Sequence, residues 1–189
     1  MKNKVRMISV IALLAFLAAG FLFFQKYSKT HEIEVVQFER REVAKDFALP
    51  VIGKSAHYPT QDKLSLQVAR SKPVLLHFWA SWCMVCREEK PELDAFWAKH
   101  KDADLLILGV ASFDTRDAMI QSKLIETPSF TVLLDEEGDV ANLYKVAALP
   151  VSVLVDEQGY IVQKFVGALK NYDYVAIENY LEGRKSMSR

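Results

Sequence analysis

The sequence predicts an α/β fold, in which a sheet carries helices on both faces and one transmembrane helix precedes it. Three observations support this prediction. Segments with strand-like and helix-like apolar spacing alternate along the chain, which ends in a hairpin and a helix. The 189 residues, 51% of them hydrophobic, suit one domain with a modest appendage and exclude a disordered chain. An uncharged run of 18 residues lies near the N-terminus, at positions 7–24.

The charge balance of the chain argues against nucleic-acid binding. The 24 basic and 24 acidic residues give a formal net charge of zero, whereas binding to phosphate backbones requires a concentrated cationic surface. The charges are unevenly distributed. The first 29 residues contain five basic residues and no acidic residue, so residues 30–189 carry 19 basic and 24 acidic side chains. The folded part is therefore expected to be mildly acidic.

Residues 7–24 are predicted to form an uncleaved membrane anchor. As a helix this run would be about 27 Å long at about 1.5 Å per residue, close to the hydrocarbon thickness of a bilayer. The alternative is a cleaved signal peptide, because basic residues precede the run and Ala18-Ala19-Gly20 supplies small residues for a cleavage site. The apolar run continues beyond these small residues through Phe24, which favours the anchor.

The basic residues around the run predict the orientation of the chain. Three of them and the amino terminus precede the run, and two lysines follow it, so the positive-inside rule places the N-terminus in the cytoplasm. We therefore expect a single-pass protein of a bacterial cytoplasmic (inner) membrane, with its domain on the extracytoplasmic, periplasmic side. The expected segments are a cytoplasmic stub and anchor (1–29), a polar spacer (30–43) and one folded domain (44–185).

Apolar periodicity assigns the elements of the domain in order. Residues 74–79 form an apolar run of strand length, and residues 88–100 have apolar residues at helical spacing. Asp114 is expected to open the next helix, and Gly183 to end the last one. The turn at Glu157-Gln158-Gly159 separates two strands of a hairpin. The strands are expected at 46–51, 74–79, 105–111, 130–134, 151–155 and 160–166, and the helices at 64–70, 88–100, 115–124, 140–144 and 172–181.

The segment Cys83-Met84-Val85-Cys86 carries the strongest chemical signal in the sequence. Two thiols three positions apart, at the junction of a buried strand and a helix, can close a small disulfide. A thiolate of Cys83 at the helix N-terminus would be stabilised by free amide N–H groups and by the helix dipole. Cys86, one turn further, would be shielded and suited to resolve a mixed disulfide. We therefore predict that Cys83 is the nucleophile and Cys86 the resolving thiol of a redox pair.

Two structural roles for the cysteines are less favoured. A static disulfide that closes so short a loop would stabilise the fold little. Half of a zinc site would require a second pair of ligands at a suitable spacing, which the chain does not offer. Redox activity is therefore the preferred interpretation, with no metal and no cofactor.

The stretch Phe78-Trp79-Ala80-Ser81-Trp82-Cys83-x-x-Cys86 resembles the active site of thioredoxin-fold proteins. With its anchor and acidic domain, the chain is similar to the extracytoplasmic TlpA/ResA/CcmG group over residues 44–182. The resemblance implies a central mixed sheet with helices on both faces and thiol-disulfide oxidoreductase activity. It also implies a role in reducing the haem-binding cysteines of cytochromes c. The implied partners are extracytoplasmic protein thiols or disulfides and a membrane electron donor of the DsbD/CcdA type.

The resemblance extends to the prolines and identifies one departure from the group. Pro91 matches a proline of the active-site helix, and Leu149-Pro150 falls where the family has a cis-proline loop. The resemblance therefore implies a cis Leu149-Pro150 bond near the cysteines, and a peptide-binding groove formed by Trp82, Leu149 and Pro150. The group usually has a proline next to the second cysteine, where this chain has Val85, so the redox potential and direction of exchange do not carry over.

Two side chains near the cysteines are candidate proton carriers. His77 occupies the place of the buried acid of thioredoxin and could accept a proton near neutral pH; a packed strand histidine is the alternative. Glu89 matches an acidic residue of the ResA-like members and lies three positions after Cys86; a solvated carboxylate is its alternative. Trp79 is expected in the core, and Arg87 at the surface.

Two functions from other classes remain alternatives to disulfide exchange. A copper-handling module could bind Cu(I) through Cys83, Cys86 and His77, because soft sulfur ligands suit this ion. A non-catalytic docking domain of a respiratory assembly would not require the thiols at all.

Overall fold

The structure is a computed structural model that describes residues 21, 41–53, 62–69, 72–100, 105–126 and 129–187. The chain divides into two compact units, Met1–Arg40 and Arg41–Arg189. The predicted anchor, except for residue 21, and the spacer up to residue 40 lie outside the described residues. Within the described ranges, no helix has the length and apolar character needed to cross a membrane.

Strands and helices alternate through the second unit in the described ranges. The strands are β1 (Ala48–Gly53), β2 (Lys63–Ser65), β3 (Val74–Trp79), β4 (Leu106–Ser112), β5 (Thr131–Asp135), β6 (Val151–Val155) and β7 (Ile161–Val166). The helices are α1 (Leu66–Ala69), α2 (Met84–His100), α3 (Arg116–Gln121), α4 (Asp139–Leu143) and α5 (Asn171–Met187).

The strands form one mixed sheet in the order β2-β1-β5-β4-β3-β6-β7. Strand β4 runs parallel to both β3 and β5 at the centre of the sheet. The remaining neighbours, including the β6–β7 hairpin, are antiparallel. Because parallel strands require crossovers, α2 and α3 connect the central strands. The structure thus confirms the predicted mixed sheet.

Apolar side chains cover both faces of the sheet. On one face, the core includes Leu66 of α1 and Val140 of α4. On the other face, it includes Leu93 of α2, Met119 of α3 and Ile177 of α5. Strand β3 is buried along its whole length because its alternating side chains enter both clusters. The prediction of helices on both faces is therefore confirmed.

Three local predictions differ from the structure at helix ends. Helix α2 begins at Met84, four residues earlier than the apolar spacing indicated. Thr115, not Asp114, caps α3, since its side chain accepts the N–H of Ala118. The prediction that Gly183 ends the last helix is wrong, because α5 continues to Met187. One glycine costs a helix interior only about 1 kcal/mol, so packing of the preceding turns overrides it.

Gly138 is required by the turn between β5 and α4. Its φ of 74° lies in the left-handed region that favours glycine. A Cβ atom at this position would overlap the ring of Phe113, which itself has a φ of 55°. This close packing fixes the loop after β4, which lies beside the cysteines as described below.

We predict that Gly138→Ala destabilises the protein by about 1–3 kcal/mol, because the new side chain strains the backbone and displaces the Phe113 ring. Urea unfolding of the full-length oxidised protein measures the change. Gly183→Ala is the matched control, since the space around Gly183 is open and alanine favours the helix by about 0.5–1 kcal/mol. Equal effects of the two substitutions would contradict the prediction.

Candidate active site

The two cysteines form a disulfide between the end of β3 and the start of α2. Cys83 directly precedes the first residue of α2, and Cys86 lies in its first turn. Their Cα atoms are 5.3 Å apart. Cys83 is 7% exposed and Cys86 2%, so the first sulfur is the more accessible of two largely buried groups.

The sulfur of Cys83 lies at the N-terminus of α2. Its Sγ accepts the backbone N–H of Cys86 at 3.2 Å, as an N-cap side chain does. After reduction, a thiolate at this position faces unpaired amide groups and the positive end of the helix dipole. This geometry supports the assignment of Cys83 as nucleophile and Cys86 as resolving thiol, which remains a prediction.

The loop between β4 and α3 holds the residues that precede Cys83. The buried carboxylate of Asp114 accepts the N–H of Ser81 at 2.5 Å and that of Thr115 at 2.9 Å. The indole of Trp82 donates to the carbonyl oxygen of Phe113 at 2.9 Å. Trp82 is 62% exposed. No pattern in the sequence signals this role of Asp114, because its partner Ser81 is 33 positions away.

The Leu149-Pro150 peptide bond is cis, as predicted. The carbonyl oxygen of Pro150 accepts the N–H of Gly167 at 2.9 Å, which ties this loop to the end of β7. Leu149 packs against the buried apolar cluster that contains both cysteines. The expected groove between Trp82 and this loop remains a prediction.

Glu89 is a buried acid, not the solvated carboxylate of the alternative interpretation. It is 5% exposed, and its Oε1 accepts the backbone N–H of Leu169 at 2.8 Å. Burial raises the pKa of Glu89 to about 7, although the hydrogen bond from Leu169 opposes this rise. The carboxylates of Glu92 and Asp173 raise the pKa further. Glu89 can therefore accept or release a proton near neutral pH.

Tyr174 of α5 lies beside this carboxylate. Burial and the charges of Glu89, Glu92 and Asp173 raise its pKa, so the phenol stays protonated. Within the described part of the chain, neither the Tyr174 hydroxyl nor Oε2 of Glu89 has a hydrogen-bond partner. Among the described residues, Oε2 of Glu89 therefore takes part in no hydrogen bond that stabilises the fold.

His77 is buried in β3, where its Nδ1 lies 3.0 Å from the hydroxyl oxygen of Ser152 on β6. Burial and the positive charge of Lys90 lower the pKa of His77 to about 4. The ring is therefore neutral at neutral pH. It lines a small cavity together with Cys86, but so weak a base accepts a thiol proton poorly. The pKa values favour Glu89 over His77 as the proton acceptor, and this role stays a prediction.

Trp79 and Arg87 lie where the sequence predicts them, in the core and at the surface. Trp79 is buried in the core, and Arg87 is exposed. Among the described residues, no three histidine, cysteine, aspartate or glutamate side chains are grouped to hold a metal ion. The copper alternative for Cys83, Cys86 and His77 stays a prediction, because the two sulfurs are joined in a disulfide here.

Comparison with known proteins identifies the family. The sequence model of the AhpC/TSA family matches residues 41–164. The chain belongs to the AhpC/TSA family. It is similar to the thiol-disulfide oxidoreductase ResA of Bacillus cereus, with 28% identity over 167 residues, 88% of this chain and 90% of that protein. It is also similar to the thioredoxin-like protein YneN of Bacillus subtilis, with 30% identity over 156 residues, 79% of this chain and 82% of that protein.

Two solved structures share the fold. A thiol:disulfide interchange protein DsbE of Chlorobium tepidum matches with a TM-score of 0.60 and 33% identity, covering 73% of this chain and 92% of that one. A protein disulfide isomerase of Bacteroides thetaiotaomicron matches with a TM-score of 0.64 and 26% identity, covering 79% and 94%. These similarities and the Cys83–Cys86 pair confirm a thioredoxin-like fold and a thiol-disulfide oxidoreductase.

We predict that Glu89 makes the stability of the protein pH-dependent. Its folded pKa of about 7 exceeds the ordinary value of 4.5, so the folded state binds the proton more tightly than the unfolded state. The stabilisation is complete below pH 4.5 and decreases as pH rises through 7. Glu89→Gln keeps an acceptor for Leu169, and should stabilise the oxidised protein at pH 8 by about 2–3 kcal/mol. Urea unfolding at pH 4.5, 6 and 8 measures the difference.

At pH 4.5 the variant and the parent should be nearly equal in stability. Glu88→Gln removes a carboxyl from an exposed position on the same helix and is the matched control. If the effect of Glu89→Gln on stability were the same at pH 4.5 and at pH 8, the pKa of Glu89 would not be raised in the folded protein, and the prediction would be wrong.

Proposed function

We propose that this protein exchanges disulfides with extracytoplasmic proteins through Cys83 and Cys86, while its N-terminal segment anchors it in a bacterial cytoplasmic membrane. The observation that carries the chemistry is the position of Cys83, whose Sγ accepts the N–H of Cys86 at the start of α2. The names of ResA and DsbE describe thiol-disulfide exchange in similar proteins. The charge bias around residues 7–24 supports the location.

The exchange proceeds by two thiolate attacks. In the reduced protein, the Cys83 thiolate attacks a substrate disulfide, forms a mixed disulfide and releases one substrate thiolate, which takes up a proton. Cys86 then gives its proton to Glu89, and its sulfur attacks Sγ of Cys83. This step forms the Cys83–Cys86 disulfide and releases the second substrate thiolate. The substrate gains two electrons and the pair loses two; the reverse sequence oxidises a substrate dithiol.

Glu89 suits the second step because its pKa of about 7 is close to working pH. It lies on α2 one turn after Cys86, and Oε1 is held by the amide of Leu169. Oε2 has no partner among the described residues, so it can take the proton without breaking that hydrogen bond.

The proposed substrates and partners follow from the family. By resemblance to the TlpA/ResA/CcmG group, we propose that the reduced pair acts on disulfides of extracytoplasmic proteins, including the haem-binding cysteines of apocytochromes c. Each such reaction leaves the Cys83–Cys86 disulfide behind. A turnover cycle therefore requires a dithiol donor, and we propose a membrane protein of the DsbD/CcdA type for this role.

We predict different fates for variants of the two cysteines when the reduced full-length protein, in detergent, meets a disulfide-bonded peptide. Cys86→Ala should accumulate a stable mixed disulfide, because no second thiol resolves it. Cys83→Ser should form none. In the parent, iodoacetamide should label Cys83 first, since the helix N-terminus favours its thiolate. Peptide mapping by mass spectrometry measures both results.

Within the same assay, Glu89→Gln should slow the release of the second peptide thiol roughly a hundredfold, the lower range for loss of a general base. Activity that survives Cys83→Ser, or equal labelling of the two thiols, would contradict the mechanism. A purely docking function would leave the cellular phenotype unchanged in Cys83→Ala.

We predict that the domain lies outside the cytoplasm. Alkaline phosphatase folds into its active form only after export, so a fusion after Lys29 should be active if the run at 7–24 is oriented by its flanking cations. A fusion after Lys4, before the run, is the control and should be inactive. An inactive fusion after Lys29 would refute the proposed location.

A further inference from the structure

Cys86 lies between two charged side chains of its own helix. Glu89 accepts the amide of Leu169, in the segment between β7 and α5. Lys90, four positions after Cys86, turns the other way, and its Nζ lies 5.6 Å from the ring centre of Phe130 beside β5. The carboxylate of Asp94 accepts two hydrogen bonds from this ammonium, at 2.7 and 2.9 Å. An acid and a cation thus flank the buried thiol on opposite sides.

A small cavity beside Cys86 has both the resolving cysteine and Lys90 in its lining. Cys86, Lys90 and His77 all line it. The rest of the lining is mostly apolar and consists of Trp79, Leu93, Leu124, Ser129, Phe130 and Val132. The charge of Lys90 acts across this cavity, because it helps to lower the pKa of His77. With His77 neutral, Lys90 is the cation that the lining of this cavity contains.

We propose that Lys90 is a positioning residue that stabilises the thiolate of Cys86 in the reduced protein, from the side opposite Glu89. The use of this thiolate in catalysis rests on the proposed exchange function. The electrostatic effect of Lys90 on Cys86 does not rest on that function, because it concerns one thiol and one ammonium in the absence of substrate.

The physical reason is the burial of Cys86. A thiol that is 2% exposed loses the hydration of its thiolate, so burial alone opposes ionisation. A cation across a largely apolar cavity offsets this penalty, because the low dielectric strengthens its attraction. Lys90 supplies this charge and Asp94 weakens it by pairing, while Glu89 acts in the opposite sense once ionised.

The remaining titratable groups near Cys86 also affect the stability of its thiolate. His77 faces it from β3 as a neutral ring. Glu92 of α2 and Asp173 of α5 act through Glu89, whose pKa they raise. In the resolving step, Cys86 gives its proton to Glu89. The sulfur of Cys86 then bonds to the sulfur of Cys83, while Lys90 neither gives nor takes up a proton. Lys90 therefore changes the energy of the thiolate without entering the proton transfer.

The experiment follows thiolate formation of Cys86 against pH by ultraviolet absorbance, in the full-length Cys83→Ser protein. In this background, Lys90→Met should raise the midpoint by about one pH unit, and Lys90→Arg should restore most of the parental value. Asp94→Asn should lower the midpoint, since it frees the charge of Lys90. Lys99→Met is the matched control: Lys99 pairs with Glu178 and lies roughly 13 Å further along α2.

The variants separate charge from packing. Lys90→Met could also rearrange the cavity. Lys90→Arg changes the shape of the side chain and keeps its positive charge, whereas Asp94→Asn keeps Lys90 and removes only the negative charge that pairs with it. A midpoint that stays within about 0.2 unit in Lys90→Met, or moves equally in Lys99→Met, overturns the proposal. Failure of the peptide exchange assay with a normal Lys90 effect would instead refute the proposed function alone.

Discussion

The hydrogen bond from the amide of Cys86 to the sulfur of Cys83 is the interaction on which the chemistry of this protein depends. It exists because β3 ends four residues before Cys83 and α2 begins directly after it. The carboxylate of Asp114 holds the intervening turn through Ser81. A shift of this turn would move the sulfur away from the amide groups that favour its thiolate. The β4–α3 loop is thus part of the redox site although it contains no redox residue.

The surroundings of the second cysteine, Cys86, disfavour its thiolate. Cys83 reaches the end of a helix, whereas Cys86 faces the interior, where a thiolate has little solvation. Helical geometry places two side chains next to this thiol. The residues three and four positions after Cys86 project from the helix on either side of the Cys86 side chain. Glu89 occupies one side and Lys90 the other. In the proposed mechanism, Glu89 is the proton acceptor and Lys90 is the positive charge, so one turn of α2 would supply both requirements of the resolving step.

The sequence predicted what depends on local pattern, and missed what depends on contacts between distant segments. The apolar run of β3 and the cysteine spacing specify a buried strand followed by a redox motif, and both were found. The apolar spacing places the start of α2 too late, because Met84-Val85 shows no amphipathic pattern. The burial of Glu89 depends on Leu169, 80 positions away, which no periodicity reveals. Lys90 lies at helical spacing from Cys86, but only the position of β5 shows that it faces the same cavity.

The burial of Glu89 is better explained by chemistry than by stability. A carboxyl with its pKa near 7 makes folding less favourable at neutral pH than an amide in the same place, because the charged form is poorly solvated. A glutamine would retain the hydrogen bond to Leu169 and avoid this penalty. In the proposed mechanism the carboxylate accepts the proton of Cys86, which a glutamine cannot do. The chain therefore keeps a destabilising acid one turn from its resolving thiol, where the same desolvation that weakens the fold brings its basicity into the working pH range.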